Sequence, residues 1–244
     1  MIPVLIIPAV SRFDLLERLL ASLDEPVGRL VIVDNSCNGA TVSDPRAEYI
    51  RPITGLGYPG GINAGILQTP QAPWWFFASV DIMFGPGDLA TIVAEMSDVD
   101  WPQLVTGDRH DTRLLRFAYG ALNAECVDAV GLMDDGFYPI YFDDDDYERR
   151  CRLGDVEWVT YNGNIRHGEN GDVGSVTIKS DDEHRRANSR TFPLNAARYV
   201  EKWGGMPGSE IFTTPYGLAV PLSFTRPDMA GRRARIWGSP PSSP

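Results

Sequence analysis

The sequence predicts an α/β fold, a doubly wound and mainly parallel sheet with helices on both faces. Short, continuously apolar runs recur along roughly the first hundred residues, as expected for strands covered on both faces. Amphipathic stretches with helical spacing separate these runs, and such alternation is typical of parallel sheets. Two of the apolar runs lead to an aspartate, Asp34 and Asp81, at the end of the strand where such sheets bind ligands.

The first half of the chain is predicted to alternate regularly. Predicted strands occupy residues 4–9, 29–34 and 74–81. The helix after the first strand is indicated by leucines that share one helical face: Leu15, Leu16, Leu19, Leu20 and Leu23. Ser11 and Asp14 suggest a weak capping box at its start. A glycine-rich turn at 55–67 leads into a short helix, and a further helix is predicted at 85–96.

The pattern changes after Trp101. Strands are predicted at 113–122 and 156–161, and a helix over 123–131 is stopped by Gly131. A second helix begins near Asp144 and closes at 154, and residues 185–203 are predicted to be helical in two pieces. The end of the chain is basic and then rich in proline and serine, so its last residues are expected to be disordered.

Composition narrows the function classes. The net charge of −11 argues against a nucleic acid as the main partner, because such binding depends on basic patches. The only lysines are Lys179 and Lys202, so the P-loop lysine motif is absent. Three well-separated cysteines predict a reduced, cytoplasmic protein with neither a disulfide framework nor a zinc cluster. The short apolar start resembles a buried strand more than a signal peptide, and no transmembrane segment is predicted.

Several side chains have the chemistry of a ligand site. Asp34 could accept the imide N–H of uracil, thymine or guanine, or it could simply cap its turn. Glycines in residues 55–67 allow the backbone to approach a ligand, although most such segments are only turns. Asp81 could hold a hard cation that bridges two phosphates, with His167 as a second ligand. The alternative is that Asp81 caps the next turn and that His167 is structural, as a lone histidine more often is.

Four consecutive aspartates, Asp143 to Asp146, need a reason to lie together. At the start of a helix they suit its macrodipole. We expect Asp145 to pair with Arg149 and Asp146 with Arg150 on an exposed helix face, so that removing either costs little. Asp143 and Asp144 lack such partners, and their neighbours raise their proton affinity, which is how a general base is tuned.

Six segments, in this order, resemble family 2 glycosyltransferases, which have the GT-A fold (Rossmann-like); the nearest likeness is to their rhamnosyltransferase-like branch. The resemblance covers roughly residues 1–175. The segments are IIPAVSRFDLLERLLASL, VIVDNS, LGYPGGINAGI, FFASVD, VGLMDDGFYPIYFDDDDYERRCRLG and IRHGENGDVGS.

The resemblance implies roles for particular residues. Asp34 would bind the nucleotide base, Asp81 and His167 would bind the metal, and Asp144 would be the general base, paired with Asp143. The nucleotide would also be lined by Pro8, Val10, Arg12, Gly57, Gly61 and Asn63. The sequence departs from the family pattern where Ser79 replaces the first carboxylate of the D-x-D motif, Asp143 replaces a glutamate and Gly55 replaces an asparagine.

The resemblance therefore implies a metal-dependent, inverting hexosyltransferase that uses Mn²⁺ or Mg²⁺. It would move a sugar from UDP, dTDP or GDP to a hydroxyl of a glycan, lipid-linked glycan or protein. The alternatives are a sugar-phosphate nucleotidyltransferase and a non-catalytic module that binds sugar or Ca²⁺. Residues 1–225 would form one domain, with a nucleotide-sugar half (1–100) and an acceptor half (101–225).

The tail, 226–244, carries four arginines against a single aspartate on an acidic protein. We expect its first part to pack on the acidic body or on a second subunit, which leaves a homo-oligomer open. The alternative is a solvated tail.

Overall fold

A computed structural model describes residues 1–108, 110, 115–168 and 175–219 of the chain. Its centre is a seven-stranded sheet with strand order β3-β2-β1-β4-β7-β6-β8, and β5 and β9 form a separate two-stranded sheet. The strands are β1 (Ile2–Ala9), β2 (Val27–Asp34), β3 (Ala47–Ile50), β4 (Trp74–Ala78), β5 (Ile82–Met83), β6 (Gln103–Thr106), β7 (Tyr119–Asn123), β8 (Glu157–Thr160) and β9 (Arg166–His167). The helices are α1 (Phe13–Ala21), α2 (Gly57–Gln68), α3 (Asp88–Met96), α4 (Ala124–Val130), α5 (Asp143–Leu153), α6 (Val176–Ser180) and α7 (Asp182–Trp203), followed by a 3₁₀ turn at Pro215–Gly217.

The large sheet is parallel except for one strand. β1 pairs in parallel with β2 and β4, and β2 pairs in parallel with β3. β7 lies antiparallel between β4 and β6, and β6 pairs in parallel with β8. The prediction of a mainly parallel sheet is thus confirmed, and the carboxyl ends of β1, β2 and β4 lie at one edge.

Two hydrophobic cores cover the two faces of this sheet. Alternate residues of β1 point to opposite faces, so that Leu5 and Ile7 pack in one core while Val4 and Ile6 pack in the other. Side chains of α1 and α3 complete the first core, and those of α2, α4 and α5 complete the second. Helices therefore lie on both faces, as the apolar runs predict.

The structure corrects three details of the predicted elements. α1 begins at Phe13 with Arg12, not Ser11, as its N-cap residue and without a side-chain capping bond, so the predicted capping box is absent; Asp14 instead accepts from the Arg12 guanidinium. The strand predicted at 113–122 corresponds to β7, which begins at Tyr119; residues 115–118 precede it, and residues 113–114 lie outside the described residues. The helix predicted in two pieces is the single helix α7, which continues through Pro193.

Helix α7 lies against the start of α5. Tyr199 and Trp203 of α7 are fully buried and form a third apolar cluster with Phe137 and Phe142. Phe142 immediately precedes the four aspartates that open α5. The packing of α7 therefore holds the start of α5 at the carboxyl edge of the sheet.

Candidate active site

The glycine-rich segment is held directly against the carboxyl edge. Gly61 of α2 packs so closely on β1 that a Cβ there would lie 2.8 Å from Pro8 Cβ. Gly57 has a φ of +71°, and a Cβ there would lie 2.7 Å from the Pro139 carbonyl oxygen, which accepts from Tyr58 N. Only glycine fits at either position without displacing its neighbour.

Asn35, which the sequence did not single out, fastens this segment to the end of β2. Its side-chain oxygen accepts from Leu56 N at 2.9 Å, and its side-chain nitrogen donates to Gly57 O at 2.9 Å. An asparagine directly after a strand-end aspartate was the available signal, because Asn often bonds backbone groups in turns. Asn35 thereby sets the distance between Asp34 and the start of α2.

Asp34 is fully buried at the end of β2. Its Oδ1 accepts from the backbone nitrogen and the hydroxyl of Ser36, so the turn-capping role exists. None of the described residues donates a hydrogen bond to its Oδ2. Arg51 Nε lies 3.7 Å away, and the Arg51 guanidinium stacks on Tyr49. A buried acceptor without a donor is costly, and a ligand N–H would satisfy it.

The other residues proposed to line a nucleotide lie in different environments. Pro8 and Gly61 meet at the strand end, with the half-buried Val10 two residues beyond Pro8. Arg12 has a left-handed backbone and pairs with Asp14 at 2.8 Å. Asn63 is buried and exchanges two hydrogen bonds with the backbone of Met133. In this structure Asn63 therefore joins α2 to the segment after α4.

Asp81 and His167 come together because β5 and β9 pair. Ile82 is directly opposite His167 in that small sheet, and Gly168 N donates to Asp81 O. His167 Nε2 lies 3.4 Å from Asp81 Oδ1, and both side chains are buried. Burial alone would raise the pKa of Asp81, but His167, the Ser79 hydroxyl and the Val176 amide outweigh it and hold the pKa below its usual value.

This pair can supply two ligands to a divalent cation, which is fewer than the ion's full coordination shell. Adjacent ligands of an octahedral ion at about 2.1 Å lie about 3 Å apart, close to the observed separation. Among the described residues, no group of three or more His, Cys, Asp or Glu side chains could hold a metal. Substrate phosphates and water would have to complete the shell, which is common for Mg²⁺.

The first two aspartates of α5 differ in exposure. Asp143 is only 2% exposed, and burial together with the charge of Asp144 raises its pKa well above the usual range. The Asp144 side chain is 27% exposed, so solvent and substrates can reach it. Its Oδ1 accepts from Asp145 N, and its Oδ2 lies 3.7 Å from Arg116 Nη1.

Arg116 lies across the first turns of α5. Its guanidinium contacts Asp145 at 2.9 Å and Glu148 at 2.6 Å in addition to Asp144. Burial alone would lower the pKa of Arg116, but the three carboxylates outweigh it and raise the pKa. The predicted Asp145–Arg149 pair is therefore wrong: Asp145 pairs with Arg116, and Arg149 donates to Phe212 O.

Asp146 is the centre of a buried network and does not lie on an exposed face. The predicted pair with Arg150 is confirmed at 2.9 Å. Asp146 also accepts from Trp203 Nε1 at 2.9 Å and pairs with Lys202 Nζ at 2.6 Å, both from α7. The predicted exposed helix face is therefore wrong, and we now expect removal of Asp146 to be costly, because two buried cations would lose the anion they share.

Tyr58 and Tyr141 both lie within the electrostatic influence of the three candidate carboxylates. Tyr58 at the start of α2 has its pKa raised well above the usual range, first by burial and then by the charges of Asp143, Asp81 and Asp144. Burial and the same three carboxylates raise the pKa of Tyr141. Burial is the largest cause of both shifts, and the added effect of the three carboxylates indicates that the candidate cation site and the start of α5 lie near the same two hydroxyls.

Parts of the predicted site lie outside the described residues. These are residues 169–174, which follow His167 in the last motif, and residues 220–244, which include the whole basic tail. Among the described helices, none is long and apolar enough to cross a membrane.

Comparisons with known proteins identify the fold. No family model and no curated protein matches the sequence. Among solved structures, the mannosyltransferase PcManGT from Pyrobaculum calidifontis, in complex with GDP-Man and Mn²⁺, aligns with 98% of this chain and 76% of its own at 15% identity, with a TM-score of 0.56. Glucosyl-3-phosphoglycerate synthase from Mycobacterium tuberculosis aligns at 15% identity over 80% of this chain and 78% of its own (TM-score 0.49), and S. aureus TarS at 12% over 69% and 60% (TM-score 0.47). The likeness to PcManGT, together with the sheet order, shows that the chain has the GT-A-type fold.

Proposed function

We propose that the protein is an inverting glycosyltransferase that moves a sugar from a nucleoside diphosphate to an acceptor hydroxyl. One observation carries this proposal: a buried carboxylate at the end of β2, the Asp81–His167 pair and the Asp143–Asp144 pair lie along one edge of a GT-A-type sheet. These groups supply the three functions that transfer requires, namely recognition of the base, neutralisation of the diphosphate and removal of a proton.

The donor would bind between the end of β2 and the start of α2. The free lone pairs of Asp34 Oδ2 match the imide N–H of uracil, thymine or guanine. Cytosine and adenine lack that donor, so CDP and ADP should bind poorly. PcManGT, which shares the fold, was solved with a GDP-sugar.

Asp81 and His167 would hold Mn²⁺ or Mg²⁺ where the diphosphate ends. When bound, such an ion supplies positive charge that stabilises the leaving diphosphate. Asp81 is suited to this role because its lowered pKa keeps it anionic. Mn²⁺ in the PcManGT complex supports the same choice of ion.

Asp144 would take the proton from the acceptor hydroxyl. It is the exposed member of the pair, whereas Asp143 is buried. Arg116 and the Asp145 amide fix the orientation of its carboxylate. The acceptor oxygen then forms a bond to the anomeric carbon as the bond from that carbon to the diphosphate oxygen breaks, so that the configuration inverts and the nucleoside diphosphate leaves.

A turnover screen with UDP-, dTDP- and GDP-sugars, with Mn²⁺ present, tests the proposal. We expect release of nucleoside diphosphate from at least one donor, and a product of inverted anomeric configuration by NMR. Release of pyrophosphate would instead indicate a nucleotidyltransferase. Binding of sugars without any turnover would contradict the proposal and indicate a binding module.

A further inference from the structure

Two aromatic rings, those of Tyr141 and Phe192, form an aromatic wall next to the start of α5, where the proposed base Asp144 lies. The Tyr141 ring contacts the Phe192 ring edge to face, with centroids 5.5 Å apart, and Phe192 also contacts Phe142 at 5.2 Å. Phe142 is buried, but Tyr141 is only partly buried and Phe192 of α7 is 44% exposed. Two adjoining rings thus remain accessible just before Asp143 and Asp144.

The backbone that carries this wall is strained and firmly held. Tyr141 and Phe142 have φ angles of +78° and +67°, a left-handed conformation that bulky residues rarely adopt. The buried side chain of Asn195 donates to the carbonyl oxygens of Tyr138, Ile140 and Tyr141 at 3.3, 3.0 and 3.3 Å. Strained backbone that is held in place by several hydrogen bonds is typical of functional sites, because a loop that only connects two elements could adopt a relaxed conformation.

We propose that Tyr141 and Phe192 form an acceptor subsite that binds one face of a neutral sugar ring. This inference depends on the proposed function, because it places the acceptor next to the base Asp144. Tyr141 directly precedes Phe142, the N-cap residue of α5, and Asp144 is the second residue of that helix, so the Tyr141 ring lies at the helix start with the proposed base. The apolar C–H face of a pyranose packs well on aromatic rings, while its hydroxyls remain free to reach polar groups.

The charge of the site selects a neutral acceptor. Asp144, Asp145 and Glu148 lie at the start of α5 with an excess of negative charge over Arg116, and like charges repel an anionic acceptor. The guanidinium of Arg116 lies at the start of α5, and it already pairs with three carboxylates. A phosphorylated or uronic acid acceptor would therefore meet more repulsion than attraction, whereas an uncharged glycan would not.

Saturation-transfer NMR tests the subsite in the presence of the nucleoside diphosphate. The probes are methyl glucoside, methyl mannoside and methyl rhamnoside, compared with glucose 6-phosphate and glucuronic acid. We expect neutral glycosides to bind through one C–H face, and affinity to fall about tenfold in Tyr141→Ala and in Phe192→Ala. Tyr141→Phe should bind nearly as well as the wild type, because the ring is retained.

Trp101→Ala is the matched control. Trp101 is an aromatic residue that is 47% exposed, and it precedes the amino end of β6, away from the carboxyl ends of β1, β2 and β4. This variant should bind glycosides like the wild type. Preference for the anionic sugars, or undiminished glycoside binding in both alanine variants, would overturn the inference. Turnover of the donor separates the two proposals. If nucleoside diphosphate is released but both alanine variants bind glycosides like the wild type, only the subsite is contradicted. If glycoside binding depends on the two rings but no nucleoside diphosphate is released, only the transferase function is contradicted.

Discussion

Replacing Asp146 with asparagine should strongly destabilise the protein. The carboxylate is fully buried and bonded to Arg150, Lys202 and Trp203, at distances of 2.9, 2.6 and 2.9 Å. Asparagine keeps the shape but removes the charge, so Arg150 and Lys202 lose the anion they share, although Lys202 keeps its pair with Asp134 at 2.8 Å. Breaking a buried ion pair in this way costs about 3–5 kcal/mol. For a chain of this size the loss lowers Tm by about 6–20 °C.

Urea unfolding followed by tryptophan fluorescence measures this loss, with calorimetry for Tm. Asp182→Asn is the matched control, because Asp182 is also a first-turn aspartate paired with an arginine, Arg185, but its side chain is 69% exposed. That variant should unfold at the wild-type midpoint within error. If Asp146→Asn also unfolds at the wild-type midpoint, the network contributes no net stability and our view of how α7 holds α5 is wrong.

Three further predictions concern the other carboxylates. Burial and Asp144 raise the folded pKa of Asp143 above its unfolded value near 3.8, so its protonation stabilises the fold at low pH and that contribution is lost as pH rises. The Tm of Asp143→Asn should therefore exceed that of the wild type by an amount that grows above about pH 4. A difference in Tm that does not depend on pH would contradict this. Calorimetry should show UDP, dTDP or GDP binding more tightly than CDP or ADP, with the preference lost in Asp34→Ala; tightest binding of CDP or ADP would remove Asp34 from base recognition. Affinity for the nucleoside diphosphate should fall with EDTA and in Asp81→Ala, and undiminished turnover in EDTA would exclude the metal role.

Local patterns in the sequence predicted the mainly parallel α/β architecture, but they missed β3, β6 and the antiparallel direction of β7. The apolar runs that became β1, β2 and β4 and the helical spacing of α1 depend only on neighbouring residues. The end of α4 at Gly131 was predicted from such a rule, whereas its cap by Asn123 was not predicted. The placement of Asp34 and Asp81 at one edge follows from the parallel direction of their strands.

Contacts between distant parts of the chain could not be predicted in this way. Arg116 and Asp145 are 29 residues apart, and Trp203 and Asp146 are 57 apart. The helical i,i+4 rule predicted the Asp146–Arg150 pair correctly. It paired Asp145 with Arg149, because no local pattern indicates that the distant Arg116 competes for Asp145. Asn195 was missed for the same reason, since its three carbonyl partners lie more than 50 residues earlier.

Single-turnover transfer by Asp144→Asn, compared with Asp145→Asn, tests the central claim most directly. General-base catalysis contributes about 10²–10⁴-fold, so Asp144→Asn should lose that much in rate while its affinity for the donor stays nearly unchanged. Asp145→Asn also loses a contact with Arg116, but it keeps the proposed proton acceptor and should transfer sugar within a few-fold of the wild type. Wild-type transfer by Asp144→Asn, with an inactive Asp145→Asn, would show that Asp144 is not the base.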